Sequence, residues 1–115
     1  MVDGGHKLQR FCFFGCVLVF LSLSGTINAD DILKKADIGY GEYLSAECVT
    51  CHKVAGKNEG VPSISGVDAE VLATILHAYK AKELENKVMQ LMAGRLDDEQ
   101  IASLSVYFAS LPLSK

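Results

Sequence analysis

The chain has 115 residues, enough for one small domain, and half of them are apolar, as in a globular or membrane-linked protein rather than a disordered one. The formal net charge is −3 and there is no long basic run, which argues against a nucleic-acid-binding protein. No internal repeat and no low-complexity tract is visible, so repeat architectures are excluded as well.

Residues 1–29 predict a cleaved secretory signal peptide. Lys7 and Arg10 precede an unbroken apolar run over residues 11–21, and a small residue, Ala29, stands at the expected cleavage junction. The run is shorter than the roughly 20 residues that a transmembrane helix needs. An uncleaved N-terminal anchor is the alternative, and a membrane partner is expected only in that case. Cleavage predicts an exported, periplasmic protein.

The remaining domain, residues 30–115, is small enough that a disulfide, metal or cofactor is expected to supplement its core. Cys12 and Cys16 lie in the predicted signal, so only Cys48 and Cys51 are available for this purpose. The role of these two cysteines is therefore the main question that the sequence poses.

Helical spacing of apolar residues predicts a first helix from Asp30 or Asp31 to about Ala46. From Cys51 to Gly66 the frequent Gly, Ser and Pro residues indicate a loop. A loop of this length in so small a domain is expected where the chain wraps around a bound cofactor.

A second helix is expected from a cap at Asp68 to Tyr79, followed by a charged, irregular stretch over residues 80–87. Asp97 opens a third helix, with Gln100 placed for a capping box, and Pro112 ends it. No strand alternation is visible. The predicted fold is all-α, with three to four helices around one cofactor.

Cys-Val-Thr-Cys-His at positions 48–52 predicts covalent attachment of one haem c. The Cys48 and Cys51 thiols can add across the two vinyl groups of haem, and two intervening residues match the separation of those vinyls. His52 is then held under the ring, where its imidazole can ligate the iron.

Three other interpretations of the two cysteines remain open. A thioredoxin-type redox pair requires a surrounding βαβ pattern, which the sequence lacks. A zinc site requires four ligands, and beyond His52 only His77 and carboxylates are left to provide them. A small disulfide is common in exported proteins.

The second axial ligand of the iron must come from downstream, where Met89, Met92 and His77 are the candidates. A His/Met pair gives the higher potential typical of electron-transfer haems. We predict Met89, because it lies in a stretch of weaker helical commitment where a side chain can turn toward iron. Met92 leads into the cap of the last helix, at a spacing of four from Leu96 that suits an apolar contact. His77 lies within the second helix, and both methionines could instead only pack the core.

These residues resemble the class I c-type cytochromes over residues 30–111. Three stretches carry the resemblance: residues 41–47 before the cysteines, Gly-Val-Pro-Ser-Ile-Ser-Gly at residues 60–66, and residues 89–101, which are similar to the methionine loop and C-terminal helix. The resemblance implies that the Pro62 carbonyl accepts a hydrogen bond from His52.

The same resemblance implies that the first and last helices cross closely, with Gly41 against Tyr107 or Phe108. It also places the ligand methionine seven positions before the apolar residue that precedes the last helix, as Met89 is before Leu96.

Within the class, the chain is similar to the monohaem cytochrome subunit of flavocytochrome c sulfide dehydrogenase. Relatives often carry an Arg shortly before the axial Met, where it meets a haem propionate. This chain has Lys87 instead, which provides a point charge rather than a bidentate group.

The predicted function is an electron carrier that is not itself an enzyme, because a haem with two protein ligands leaves no position for a substrate. The competing functions are an enzyme with an open sixth position and a sensor or structural subunit. The expected partners are redox proteins, such as an exported flavoprotein or a terminal oxidase. The alternative is a dedicated cytochrome subunit of a flavoprotein sulfide dehydrogenase or other haem-containing oxidoreductase complex.

Overall fold

The computed structural model describes residues 29–54 and 59–113, and these two ranges contain five α-helices. In chain order they are α1 (Ala29–Leu33), α2 (Ile38–Cys48), α3 (Ala69–Lys80), α4 (Lys87–Gly94) and α5 (Asp98–Ser110). These two ranges contain no strand, which confirms the all-α fold. The predicted signal peptide, apart from its last residue, lies outside the described residues. Within the described ranges no helix is both long and apolar enough to cross a membrane.

The predicted first helix is interrupted, and this expectation was wrong in its detail. α1 ends at Leu33, and the chain turns before α2 begins at Ile38. Asp37 adopts an extended backbone conformation, and its side chain accepts a hydrogen bond from the Tyr40 N–H at 2.8 Å. The Asp37 N–H itself donates to Ser103 Oγ at 3.0 Å. Asp37 therefore starts a new helix, because its backbone N–H is used by a tertiary contact instead of a helical one.

The caps predicted for α3 and α5 are confirmed. The Asp68 side chain accepts hydrogen bonds from the backbone of Glu70 and Val71 at the start of α3. Asp97 and Gln100 form a capping box at the start of α5, with bonds of 2.8 and 2.9 Å. α5 ends two residues before Pro112, as expected.

α4 was not predicted, although it contains both candidate methionine ligands. Asn86 caps this helix by accepting a hydrogen bond from the Met89 N–H at 3.0 Å. The stretch was expected to have little helical commitment, yet Met, Gln, Leu and Ala all favour helix. Met89 consequently lies in a capped helical turn and not in a loop, which removes one of the arguments made for it from sequence.

α5 provides the centre of the core. Ile101, Leu104 and Phe108 are at most 2 % exposed, and they pack with Leu72 and Leu76 of α3. The ammonium group of Lys80, the last residue of α3, donates a hydrogen bond to the carbonyl of Leu96, just after α4. This bond connects the ends of the two helices.

α2 crosses α5 at Gly41, where the two backbones are in close contact. A Cβ added at Gly41 would lie 2.8 Å from the Tyr107 Cβ and closer still to the Ser103 carbonyl group. The implied contact with Tyr107 is confirmed, and the Ser103 backbone is an even closer neighbour. Gly41 is thus required because only a residue without Cβ permits this crossing.

We expect Gly41→Ala to lower the free energy of unfolding by about 2–3 kcal/mol, because the clash with backbone outweighs the gain of up to about 1 kcal/mol in helix propensity. Chemical denaturation of the purified protein measures the change. Gly94→Ala is the matched control, since no neighbouring atom lies within 4 Å of the added Cβ there. Equal stability of the two variants would contradict the role assigned to the crossing.

Candidate functional site

A cavity of about 990 Å³ occupies the space between α2, α3, α4, α5 and the segment that follows α2. Its volume is at the upper end of the range of about 300–1,000 Å³ that is typical of ligand pockets. Much of its wall is apolar and is shared with the core, including Ile64, Leu72, Leu76, Leu104 and Phe108. The helices therefore pack around this cavity as well as against one another.

The cavity reaches the protein surface. Tyr43 of α2 and Val88 of α4 line it, and they remain 78 % and 63 % exposed. A planar apolar cofactor in the cavity would consequently be covered on its faces and accessible along an edge.

Both cysteines and the histidine of the predicted motif line this cavity. Cys48 is the last residue of α2, and its carbonyl accepts hydrogen bonds from the N–H groups of Cys51 (3.1 Å) and His52 (2.8 Å). This tight turn at the end of the helix gathers the three side chains on the cavity wall. Both thiols are free.

His52 is oriented by one hydrogen bond. Its Nδ1 lies 2.7 Å from the Pro62 carbonyl oxygen, and the side chain is only 9 % exposed. Because a carbonyl oxygen can only accept, Nδ1 carries the proton and Nε2 keeps its lone pair. This is the contact that the resemblance implied, and it leaves the Nε2 lone pair unused by Pro62 and able to bind a metal.

The environment of Cys48 differs from that of a redox-active thiol. Burial, together with the nearby Glu47 carboxylate and the Cys51 thiol, raises the pKa of the Cys48 thiol. A thioredoxin-type cysteine needs the opposite, a lowered pKa and a βαβ setting, and the described ranges contain no strand. The geometry therefore does not support a dithiol redox pair.

The zinc and disulfide interpretations are not supported either. Among the residues that the structure describes, no three His, Cys, Asp or Glu side chains are grouped as a bound metal ion would require. Cys48 and Cys51 are not joined to each other.

Two of the three candidate distal ligands lie at the cavity. Met89 and Met92 both line it from α4, one helical turn apart. His77 is not among the described residues that form the wall. Its Nε2 is buried elsewhere, without a hydrogen-bond partner in the described structure.

Arg95 is a cavity residue that the sequence interpretation missed. Its Nη2 lies 3.0 Å from Glu47 Oε2 and 3.1 Å from Met92 Sδ. The spacing of three residues from Met92 was a visible signal, since such pairs are neighbours on a helix. Lys87, which the sequence suggested as the nearby cation, is exposed and does not line the cavity.

These features fit a covalently attached haem. The cavity is large and mostly apolar, and two free thiols lie at its wall. The imidazole of His52 lies at the same wall, with its Nδ1 bonded to Pro62 and its Nε2 unused by that bond. Two thioether side chains are available on α4.

Comparison with protein-family models finds a match to Cytochrome c over residues 36–112, about two thirds of the chain. The matched range includes the cysteines, His52, Pro62 and both methionines of α4. No individual curated protein matches the chain. On the family match, the chain belongs to the cytochrome c family, whose members carry covalently bound haem c and transfer electrons.

Proposed function

We propose that this chain is an exported monohaem carrier that passes single electrons between redox proteins, with its haem attached at Cys48 and Cys51 and ligated by His52 and Met89. The observation that carries the proposal is the convergence on one apolar cavity of two free thiols, an imidazole with its Nε2 available and a methionine. When bound, the haem supplies reversible one-electron exchange at iron.

The chain's own residues provide attachment, ligand orientation and burial. The turn after α2 places both thiols beside His52, and the hydrogen bond to Pro62 fixes the imidazole tautomer and the direction of Nε2. The apolar wall lowers the local dielectric and excludes water from the faces of the cofactor.

Several observations support Met89 as the distal ligand. It is partly buried and packs against the core, and the Asn86 cap fixes its backbone in the first turn of α4. Its side chain lines the cavity. The sulfur of Met92, by contrast, already accepts a hydrogen bond from Arg95. The spacing of seven residues between Met89 and Leu96 agrees with the class I register.

Two protein ligands on the iron favour a carrier over an enzyme, because no coordination position is left for a substrate. The proposed partners are redox proteins such as an exported flavoprotein or a terminal oxidase, or a complex in which this chain is a dedicated cytochrome subunit. The exposed rim of the cavity at Tyr43 and Val88 is the proposed contact surface, and such an interface is expected to be small and transient. Export rests on the predicted signal peptide in residues 1–29.

One test of the proposed function concerns the covalent attachment of the haem. In acidic organic solvent the haem is expected to stay on the peptide that contains residues 48–52, as shown by mass spectrometry. Cys48→Ser and Cys51→Ser should each remove most of the folded protein, because the cofactor fills space that the small core cannot fill. Cys16→Ser, in the predicted signal peptide, is the control and should leave the yield of haem protein unchanged. A freely extractable haem in the wild type would contradict the attachment.

Another test concerns the distal ligand of the haem iron. Met89→Ala is expected to abolish the near-infrared charge-transfer band of ferric methionine-ligated haem and to lower the reduction potential, because a thioether favours ferrous iron. Met92→Ala and His77→Ala should retain the band. Absorption spectra of the purified ferric proteins decide the matter. Loss of the band in Met92→Ala with Met89→Ala unaffected would reverse the assignment.

A further inference from the structure

The geometry of α4 does not by itself choose between its two methionines. Met89 and Met92 are three residues apart, which places their side chains on the same face of the helix. Both are partly buried and both line the cavity. A further contact is therefore needed to explain why one sulfur and not the other would meet the iron.

That contact is made by Arg95, the residue that caps the C-terminal end of α4. Its guanidinium Nη2 lies 3.1 Å from Met92 Sδ. A thioether sulfur is a weak acceptor, and a charged donor is the kind of partner that can engage one of its lone pairs. The sulfur of Met92 is thereby directed toward the guanidinium.

Glu47 keeps Arg95 in this position. The same Nη2 lies 3.0 Å from Glu47 Oε2, and Glu47 immediately precedes Cys48 at the end of α2. Among the described residues that line the cavity, Glu47 provides the carboxylate and Arg95 provides the guanidinium. Their pairing connects the helix that carries the haem-attachment motif to the end of the helix that carries the methionines.

We propose that Arg95 is a positioning residue that withholds the Met92 sulfur from the iron and so leaves Met89 as the distal ligand. The inference rests on the proposed His/Met-ligated function. The side chains of Arg95 and Glu47 are 55 % and 69 % exposed, so their ion pair adds little to overall stability. Removing Arg95 should therefore change which ligand binds while the fold is retained.

The test uses the full haem protein with Met89 replaced. Met89→Leu is expected to lack the near-infrared methionine–iron band while Arg95 is present. Met89→Leu combined with Arg95→Gln should recover the band, because the Met92 sulfur is then released to ligate. Adding Met92→Leu to that pair should abolish the recovered band and so assign it to Met92.

Lys87→Gln is the matched control, because it removes one positive charge from the same helix at an exposed residue outside the cavity wall. Combined with Met89→Leu, it should not recover the band. Recovery with Lys87→Gln, recovery in Met89→Leu alone, or no recovery with Arg95→Gln in a protein of unchanged helix content would each overturn the role of Arg95.

A second measurement covers the case in which the Met89→Leu proteins do not fold. In Arg95→Gln alone, proton NMR of the ferrous protein should show a second methionine methyl signal with the very large upfield shift of a thioether bound to the iron. Only one signal with that large shift, as we expect for the wild type, would overturn the inference. Failure of the proposed function is distinguishable from both results, because it appears as the absence of the methionine–iron band in the wild type itself.

Discussion

The close crossing of α2 and α5 at Gly41 is the constraint on which the rest of the structure depends. The Ser103 carbonyl group and the Tyr107 Cβ of α5 occupy the space that any side chain at residue 41 would need. With the two backbones in contact, α2 ends at Cys48 beside the cavity wall that α5 provides through Leu104 and Phe108. A helix packed at an ordinary side-chain distance would place the motif further from that wall.

The cavity explains how so small a domain is organised. The apolar residues of α3 and α5 form one continuous core, and the cavity lies against it. A haem in the cavity would cover the core residues that line its wall. A domain of this size has little surface to bury by itself, and a large cofactor in direct contact with its helices adds the missing apolar burial. The hydrogen bond from His52 to the Pro62 carbonyl then connects the motif directly with the described segment that begins at residue 59.

Among the described residues that line the cavity, the carboxylate is that of Glu47 and the guanidinium is that of Arg95, and the two form an ion pair. This pair joins the ends of two helices that are far apart in sequence, and it contacts a methionine sulfur at the same time. Arg95 therefore combines an electrostatic connection between α2 and α4 with a contact to a methionine that lines the cavity. Before the haem is attached, partial burial and the neighbouring Glu47 carboxylate raise the pKa of the Cys48 thiol.

The sequence by itself determined the all-α class, the caps at Asp68 and Asp97, and the site at residues 48–52, because each of these depends on neighbouring residues and their local chemistry. It did not show the break at Asp37, because that helix start depends on a hydrogen bond to Ser103 on the last helix. It also missed α4, whose short helical turn depends on the Asn86 cap and on packing against α3. Only the tertiary structure brought Arg95 to Glu47 and excluded His77 from the cavity wall, because those relations arise from how whole helices pack and not from spacing along the chain.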